Sequence, residues 1–515
     1  MKNIKKLTLF ITIMTCMTAC TADFIETNTN PNGFSVGSAK PSNMFVPILA
    51  GGANDWTYST WFWNNELIQY TTFAGGTTRN ENIYSIADGN WANRWNFYAA
   101  KANNANHMYQ LAQRDNDDIF KALALTWKVF YMSELASMFG DIPYSEAFQA
   151  NIGNMKPKFD TQKEVFEQMF AELEQANILY QSDSPYFSAS IDNMYGANLT
   201  KWRKFNNSLY LRLLMRVSGR NDELPVVAKI QEILNNPLTY PVFESNADNA
   251  KCVFSGTAPY LYYFNRVDYD ESSFTSAGRH LTEQIIKMTV FDGGAYVDPR
   301  LPVYGVMRSG GWKGAVAGCP IGERTTSGVA RLNYEVFVRN DGDYIFMDYA
   351  EVQFIFAEAA FKGFISGGKD AAKNYYENAV TASIEKWAGY GKYMTVPHVI
   401  ASADITAFLQ RPEVIFDLAK SDADIEELIA NQKYIALFWI GMEAWHEYRR
   451  TGFPDLIIGT GTLNDHILPT RFAYPNTTMA TNSVNANAAL QNMNARDNDM
   501  KTPMWWSKKA ITGNW

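Results

Sequence analysis

The sequence is 515 residues long, 47% apolar and 14% aromatic, and its formal net charge is −8. This length allows one large globular domain or two to four ordinary domains, with ample material for a buried core. The negative charge and the lack of a basic stretch argue against a nucleic-acid-binding protein.

The N-terminus predicts an export signal that ends in a lipid anchor. Lys2, Lys5 and Lys6 precede an apolar run over residues 7–17 that is too short to cross a bilayer as a helix. Residues 17–20, Met-Thr-Ala-Cys, resemble a bacterial lipobox, so we expect a signal peptide over 1–19 and lipidation of Cys20. An ordinary signal peptide beside a chance cysteine is the alternative. Residues 20–50 are polar and turn-rich and predict a tether.

Apolar residues at helical spacing predict a mainly α protein. Capping signals and turn residues separate the runs, for example the Thr161 and Glu164 capping box and the turn at 115–117. The helices follow one another as pairs, which is typical of a tetratricopeptide-like scaffold, although no clean 34-residue repeat is present. The predicted helices cover 56–74, 91–112, 119–138, 159–180, 199–217, 281–290, 346–361, 371–387 and 401–409.

The strongest helix signal lies near the C-terminus. Ser421 and Asp424 cap a segment whose apolar residues recur every three or four positions, and Gly452 and Pro454 end it. We therefore predict one long core helix over 422–450, with an aromatic stripe that packs in the interior.

A second kind of segment interrupts the helices. Over residues 236–343 the helical period fades while Gly, Pro, Asn and Ser become frequent. A stretch of this length without regular structure is typical of a functional insertion. We therefore predict a single domain over 51–515 with a loop-rich insertion at about 236–343, on the face opposite the helical scaffold.

The sequence offers no recognisable catalytic or metal-binding pattern. The five histidines lack ligand spacing, and neither a nucleophile elbow nor a phosphate-binding loop is present. Cys252 and Cys319 match no metal or redox spacing, and a disulfide and two buried thiols both remain open. We predict no enzyme activity, no cofactor and no metal, with a glycosidase built on two distant carboxylates as the leading enzyme alternative.

Two loop regions combine aromatic and polar side chains in the way a sugar-binding surface requires. A sugar has an apolar face that stacks on an aromatic ring and a rim of hydroxyls that hydrogen-bond to polar groups. The candidate ligand-binding residues are Arg79, Asn80, Tyr84 and Trp91 in the first loop, and Tyr262, Tyr263, Arg308 and Trp312 in the second region.

Several motifs resemble one known family. The string QKYIALFWIGMEAWHEYRRTGFPDL at 432–456, the loop GDIPYSEA at 140–147, the Asp-Pro-Arg turn at 298–300 and the Trp-Trp pair at 505–506 are similar to elements of the SusD/RagB family of outer-membrane nutrient-binding lipoproteins. These and other matches run from Cys20 to Trp506 in the family's order.

The resemblance implies a SusD-like fold, in which a degenerate tetratricopeptide-like scaffold carries a large irregular face. It also implies a cell-surface lipoprotein, attached to the outer membrane only through the lipid on Cys20. Such a protein binds a nutrient, most often an oligosaccharide, and delivers it to a SusC-like TonB-dependent transporter. The alternatives are a tetratricopeptide-like lipoprotein with a protein or peptide ligand and, more remotely, a glycoside hydrolase.

Overall fold

The structure is a computed structural model that describes residues 37–73, 81–183, 188–276, 279–308, 310–325 and 327–513. The predicted signal peptide, Cys20, most of the predicted tether, and the candidate residues Arg79 and Asn80 lie outside these ranges.

The described chain is mainly helical, as the sequence predicts. We label the helices of five or more residues: α1 Ser42–Ser59, α2 Asp88–Asp115, α3 Asp118–Phe139, α4 Gln162–Leu179, α5 Leu199–Arg216, α6 Val226–Asn235, α7 Glu271–Ser276, α8 Glu283–Thr289, α9 Tyr349–Phe361, α10 Gly368–Gly391, α11 Ser402–Leu409, α12 Asp422–Ala436, α13 Glu443–Thr451, α14 Asn476–Thr481, α15 Ser483–Asn492 and α16 Lys508–Thr512. Shorter α turns lie at Asn65–Leu67, Leu301–Tyr304 and Tyr334–Phe337, and a π-helical turn at Thr60–Asn64 extends α1.

Successive helices pack as pairs. α2 and α3 form a hairpin whose link is set by Asn116, which adopts a left-handed φ of 55°, and by Asp117, which accepts a hydrogen bond from the Phe120 amide at 3.0 Å. α9 and α10 form a second pair. The predicted capping box at Thr161 and Glu164 is present at the start of α4. These pairs are the predicted scaffold.

The predicted tether ends earlier than residue 50. α1 begins at Ser42, and Phe45, Ile48 and Leu49 on its first turns are fully buried. Polar and turn-forming neighbours hide this short apolar pattern in the sequence. Burial of three large apolar side chains, worth about 1.5–3 kcal/mol each, orders the segment as part of the body.

The prediction of one helix over 422–450 is wrong. α12 ends at Ala436 and α13 begins at Glu443, because the intervening turn contains Trp439 at φ 69° and Gly441 at φ 52°. A Cβ on Gly441 would lie 3.3 Å from the ring of Trp56, and the Gly441 amide donates to the Tyr344 hydroxyl at 2.6 Å. The break therefore lets the backbone approach the core closely. The predicted aromatic stripe is nonetheless buried.

The insertion contains short strands between its loops. We label them together with two outside it: β1 Thr71–Phe73, β2 Ala250–Val253, β3 Arg279–Leu281, β4 Val290–Phe291, β5 Tyr296–Val297, β6 Gly305–Val306, β7 Arg331–Leu332 and β8 Asp343–Met347. An antiparallel sheet has the order β1-β3-β7-β6, and β2-β8 and β4-β5 form two-stranded antiparallel pairs. Pairing of β1 with β3 places residues 71–73, which precede the candidate loop that contains Arg79 and Asn80, against the insertion.

Two further sequence questions are answered by the described residues. The sequence leaves open whether Cys252 and Cys319 form a disulfide or remain two buried thiols. Both are buried free thiols, so they do not form a disulfide. No described helix combines the length and apolar character that a membrane crossing requires.

Candidate functional site

An open cleft of about 610 Å³ lies where α1, α2 and the insertion meet. α1 contributes Asp55 and Tyr58, one helical turn apart, so both side chains lie on the same face. The insertion contributes Tyr263. The α2 side chains in the lining are Asn93, Arg94, Asn96 and Phe97. We call this site the α1–α2 cleft.

Asn54 on α1 fixes the insertion against the helix. Its Oδ1 accepts a hydrogen bond from the Tyr263 amide at 2.9 Å, and its Nδ2 donates to the Leu261 carbonyl at 2.9 Å. Because both polar groups of one carboxamide bind the backbone on either side of Tyr262, the position of Tyr263 is set by α1.

Aromatic rings line much of the α1–α2 cleft. The ring centroids of Tyr58 and Tyr263 are 5.6 Å apart, and Tyr58 stacks on Phe62 at 5.0 Å. The Arg94 guanidinium lies 5.0 Å from the ring centroids of both Tyr58 and Phe97. Tyr58, Tyr263 and Phe97 are all only partly buried, so they present apolar ring surface beside polar groups.

The charged groups of the cleft are mostly buried. Arg94 is 6% exposed, and its Nη1 donates to the Ser59 hydroxyl at 2.7 Å. Lys101 lies 3.5 Å from the Asp55 carboxylate. Burial raises the pKa of Asp55 to about 7, and the positive charges of Lys101 and Arg94 oppose this rise. The cleft therefore combines aromatic faces, exposed carboxamides and a carboxyl group that changes charge near neutral pH.

Comparison with known proteins identifies the family. Residues 31–475 match the SusD-like model described as "Starch-binding associating with outer membrane". The chain belongs to the SusD-like family. No curated protein matches it in sequence.

Solved SusD-like structures share its fold. A SusD homologue from Bacteroides fragilis has a TM-score of 0.76 and 24% identity, with 91% of this chain and 99% of that chain covered. A SusD homologue from Parabacteroides distasonis has a TM-score of 0.75 and 22% identity over 91% and 98% of the two chains. A chitin-binding SusD homologue from Flavobacterium johnsoniae has a TM-score of 0.71 and 22% identity over 90% and 98%. The predicted SusD-like fold is confirmed.

Two candidate aromatics of this SusD-like chain do not lie on its surface. Tyr84 is 2% exposed, adopts a left-handed φ of 61°, and its hydroxyl accepts from Gln69 Nε2 at 3.4 Å. Tyr262 is 3% exposed and packs on Phe254, with ring centroids 5.4 Å apart. We predicted both as surface stacking platforms because they lie in polar loops. The loops instead fold inward at these positions, so the expectation of exposed rings is wrong.

The other candidates lie nearer the surface. Tyr263 lines the α1–α2 cleft. Trp91 is partly exposed in the first turn of α2, where its Nε1 donates to Asp88 at 3.0 Å. Arg308 is exposed and Trp312 partly exposed around a short bridge in the insertion. Within the described part of the chain, the cleft lining includes Tyr263 but not Trp91, Arg308 or Trp312.

Sequence reasoning missed most of the cleft. Tyr58, Arg94 and Phe97 lie in helices that we predicted as scaffold, where aromatic residues are usually core. One available signal is the pair Asn93 and Asn96 beside Phe97, which places carboxamides and an aromatic ring along one helical turn. Such a pattern is unusual on a face that packs against a hydrophobic interior.

Among the described residues, one group of three side chains is close enough together to hold a metal ion, but its ligand atoms already take part in hydrogen bonds within the protein. Atoms of Glu134, Glu443 and His446 lie within 4.8 Å of one another, all buried. Glu443 accepts from Arg216, and His446 Nδ1 accepts from Arg449 while its Nε2 lies 2.9 Å from Glu134. Burial lowers the pKa of His446 well below its ordinary value and raises that of Glu134 well above it. These contacts describe a structural hydrogen-bond network between α3, α5 and α13.

Proposed function

We propose that this SusD-like protein is a lipid-anchored cell-surface protein that binds an oligosaccharide in the α1–α2 cleft and delivers it to a SusC-type TonB-dependent transporter. The observation that carries the proposal is the composition of the cleft. Partly exposed rings of Tyr58, Phe97 and Tyr263 lie beside the carboxamides of Asn93 and Asn96.

This composition matches the surface of a sugar. A pyranose ring has a C–H face that packs on an aromatic ring, and its equatorial hydroxyls both donate and accept hydrogen bonds. Carboxamides can do both as well, so Asn93 and Asn96 suit hydroxyl groups better than a fixed charge would. The cleft is open to solvent, so a glycan longer than the cleft can bind with part of its chain outside it.

A neutral glycan is the ligand class that the charges favour. Among the described residues that line the cleft, Arg94 and Asp55 are the charged ones, so the lining carries at most about one net positive charge. The description of the family as starch-binding and of one structural neighbour as chitin-binding supports the same class, because both polymers are neutral.

The cleft favours binding without turnover. Most glycosidases use two carboxyl groups about 5–9 Å apart across the scissile bond. Among the described residues that line the cleft, Asp55 is the one carboxyl side chain. We therefore propose that the protein presents its glycan to the transporter intact.

The binding proposal is tested by titrating maltoheptaose, chitohexaose, cellohexaose and xylohexaose into the purified protein. Saturable binding of at least one, without release of reducing ends, is expected. Tyr58→Ala should weaken that binding roughly 10- to 100-fold, by analogy with stacking on nucleobases. Tyr375→Ala is the matched control, because Tyr375 is a partly buried tyrosine on α10 outside the cleft. Equal loss in both variants, or cleavage of a glycan, contradicts the proposal.

The anchoring proposal is tested with Cys20→Ala. One acylated residue and its tether provide the membrane affinity, so the variant should fold, bind glycan and remain in the soluble fraction. Membrane fractionation in cells that lack the transporter measures this directly. Persistent membrane association of the Cys20→Ala protein there contradicts the anchor. Co-purification of the wild-type protein with a SusC-type TonB-dependent transporter from its native cells tests the partner.

A further inference from the structure

A second groove, of about 500 Å³, lies near the C-terminus and shares no lining residue with the α1–α2 cleft. It is formed by the start of α4, the turn after α5, the turn after α15, and the segment that leads into α16. We call it the C-terminal groove. Its lining is mainly polar, with one large aromatic side chain, Trp505.

The structure holds Trp505 in place while leaving part of it exposed. Its indole Nε1 donates to the Glu223 carboxylate at 3.2 and 3.3 Å. Its backbone amide donates to Gln162 Oε1 at 3.1 Å, and its carbonyl accepts from Arg220 Nε at 2.7 Å. The neighbouring Trp506 is fully buried and anchors the segment in the core.

The Arg220 guanidinium adds a further restraint on the ring. It lies 5.6 Å from the Trp505 ring centroid and also pairs with Glu223 at 3.2 Å. Because the indole N–H and the backbone are already bonded, a ligand would meet the ring surface of Trp505 rather than its polar edge. A ring that is fixed before binding loses little conformational entropy when a ligand packs on it.

Polar groups surround this platform. Asn492 and Asn494 are exposed, and their carboxamides have no hydrogen-bond partner within the described part of the chain. Lys163 also lines the groove. Arg220 and Glu223 neutralise one another, and the two remaining ionisable groups of the lining are of opposite type, the amine of Lys163 and the carboxyl group of Asp141. The groove thus repeats the chemistry of the α1–α2 cleft on different elements: an aromatic surface, free carboxamides and balanced charge.

We propose that the C-terminal groove is a second binding site for a neutral oligosaccharide, with one sugar ring packed on Trp505. The site does not depend on the α1–α2 cleft, because the two share no residue. A chain with two sites holds two short glycans independently and retains a long glycan more strongly than either site alone.

The test uses protein labelled with 5-fluorotryptophan, in which Trp505→Phe assigns the fluorine resonance of Trp505. Maltoheptaose, chitohexaose, cellohexaose and xylohexaose are titrated in turn. At least one should shift the Trp505 resonance saturably, and the shift should persist in Tyr263→Ala, whose cleft is impaired. A Trp505 resonance that none of the four glycans shifts overturns the second site, whatever happens at the cleft.

Stoichiometry provides the second readout. Titration with the glycan that shifts Trp505 should give two equivalents per chain. Trp505→Ala should weaken one equivalent roughly 10- to 100-fold, Trp505→Phe should weaken it less, and neither should affect the other equivalent. If the wild-type chain binds only one equivalent of glycan, and this binding is lost in Tyr263→Ala but unchanged in Trp505→Ala, the second site is contradicted and the proposed function is not. One equivalent lost only in Trp505→Ala supports the groove and contradicts the cleft.

Discussion

The two walls of the α1–α2 cleft expose an aromatic ring by different means. On the helical wall, Tyr58 is partly exposed while Thr57 and Ser59 beside it are fully buried, because successive residues of a helix point in different directions. On the insertion wall, Tyr263 lies between Tyr262 and Phe264, which are 3% and 0% exposed. There the direction of each ring depends on anchors such as Asn54.

This difference shows that loop character alone does not make an aromatic residue available to a ligand. The irregular insertion buries two of the three consecutive aromatics at 262–264, whereas two regular helices supply most of the cleft. A ring is available where the neighbouring side chains pack in the interior and direct that one ring toward the cleft. The following variants test this comparison between scaffold, buried loop aromatics and cleft aromatics.

The largest expected effect is in the scaffold. Glu443→Ala leaves Arg216 buried without its carboxylate partner, and a broken buried ion pair of this kind costs about 3–5 kcal/mol of unfolding free energy. Glu443→Gln keeps an acceptor and should cost less. Urea denaturation measures both. A loss below about 1 kcal/mol in Glu443→Ala would show that the network does not support the fold.

The adjacent pair Tyr262 and Tyr263 separates packing from binding. Tyr262→Ala removes a buried ring and should lower the unfolding free energy by about 3–5 kcal/mol, while glycan affinity of the folded fraction changes little. Tyr263→Ala should cost less than about 1 kcal/mol of stability and weaken glycan binding roughly 10- to 100-fold. Thermal melts and calorimetric titrations of both variants are the measurement. The assignment fails if the two variants change stability and affinity in the same proportion.

A smaller effect concerns the pH dependence of stability. The folded-state pKa of Asp55 is about 7, against an ordinary value of 3.8, so between these values the folded state holds a proton that the unfolded state lacks. Stability therefore falls as pH rises through this window. Asp55→Asn should reduce the fall between pH 5 and 8 by roughly 2–3 kcal/mol, because the pKa of about 7 already includes the opposing charges of Lys101 and Arg94.

Asp141 supplies the internal comparison for this experiment. Burial raises its pKa to about 7 as well, but it lies outside the α1–α2 cleft. Because Asp141 lines the C-terminal groove, both variants are compared in the Trp505→Ala background, in which glycan binding reports on the α1–α2 cleft. There, Asp141→Asn should flatten the stability profile without altering the pH dependence of glycan affinity, whereas Asp55→Asn should alter both. Denaturation and titration at pH 5, 6, 7 and 8 distinguish the two. If glycan affinity depends on pH in the same way in the wild type and in Asp55→Asn, the bound glycan does not lie near Asp55.

The sequence predicts the scaffold well because its signals are local. The Thr161 capping box and the turn at Asn116 act within one helical turn and appear as expected. The break at Trp439 and Gly441 is not visible in the same way, because it depends on contacts with Trp56 and Tyr344, far away in the sequence. The two- and three-residue strands of the insertion likewise form only through distant partners.

The sequence predicts the site less well, because the site also depends on contacts between residues that are far apart in the sequence. Tyr263 is identified from the concentration of aromatic residues in the insertion, and it does line the cleft. Tyr58 and Phe97 follow a helical spacing that fits core packing equally well, and only the arrangement of α1, α2 and the insertion leaves them partly exposed. Whether a helical ring faces the interior or a cleft is a tertiary property.

The central claim is that the α1–α2 cleft holds the glycan, and a crystal structure of the protein with the tightest-binding oligosaccharide tests it most directly. We predict a sugar ring packed on Tyr58 and Tyr263, with hydroxyl groups hydrogen-bonded to Asn93 or Asn96. A glycan packed instead on Trp91 or Trp312, with no sugar against Tyr58 or Tyr263, would contradict the account.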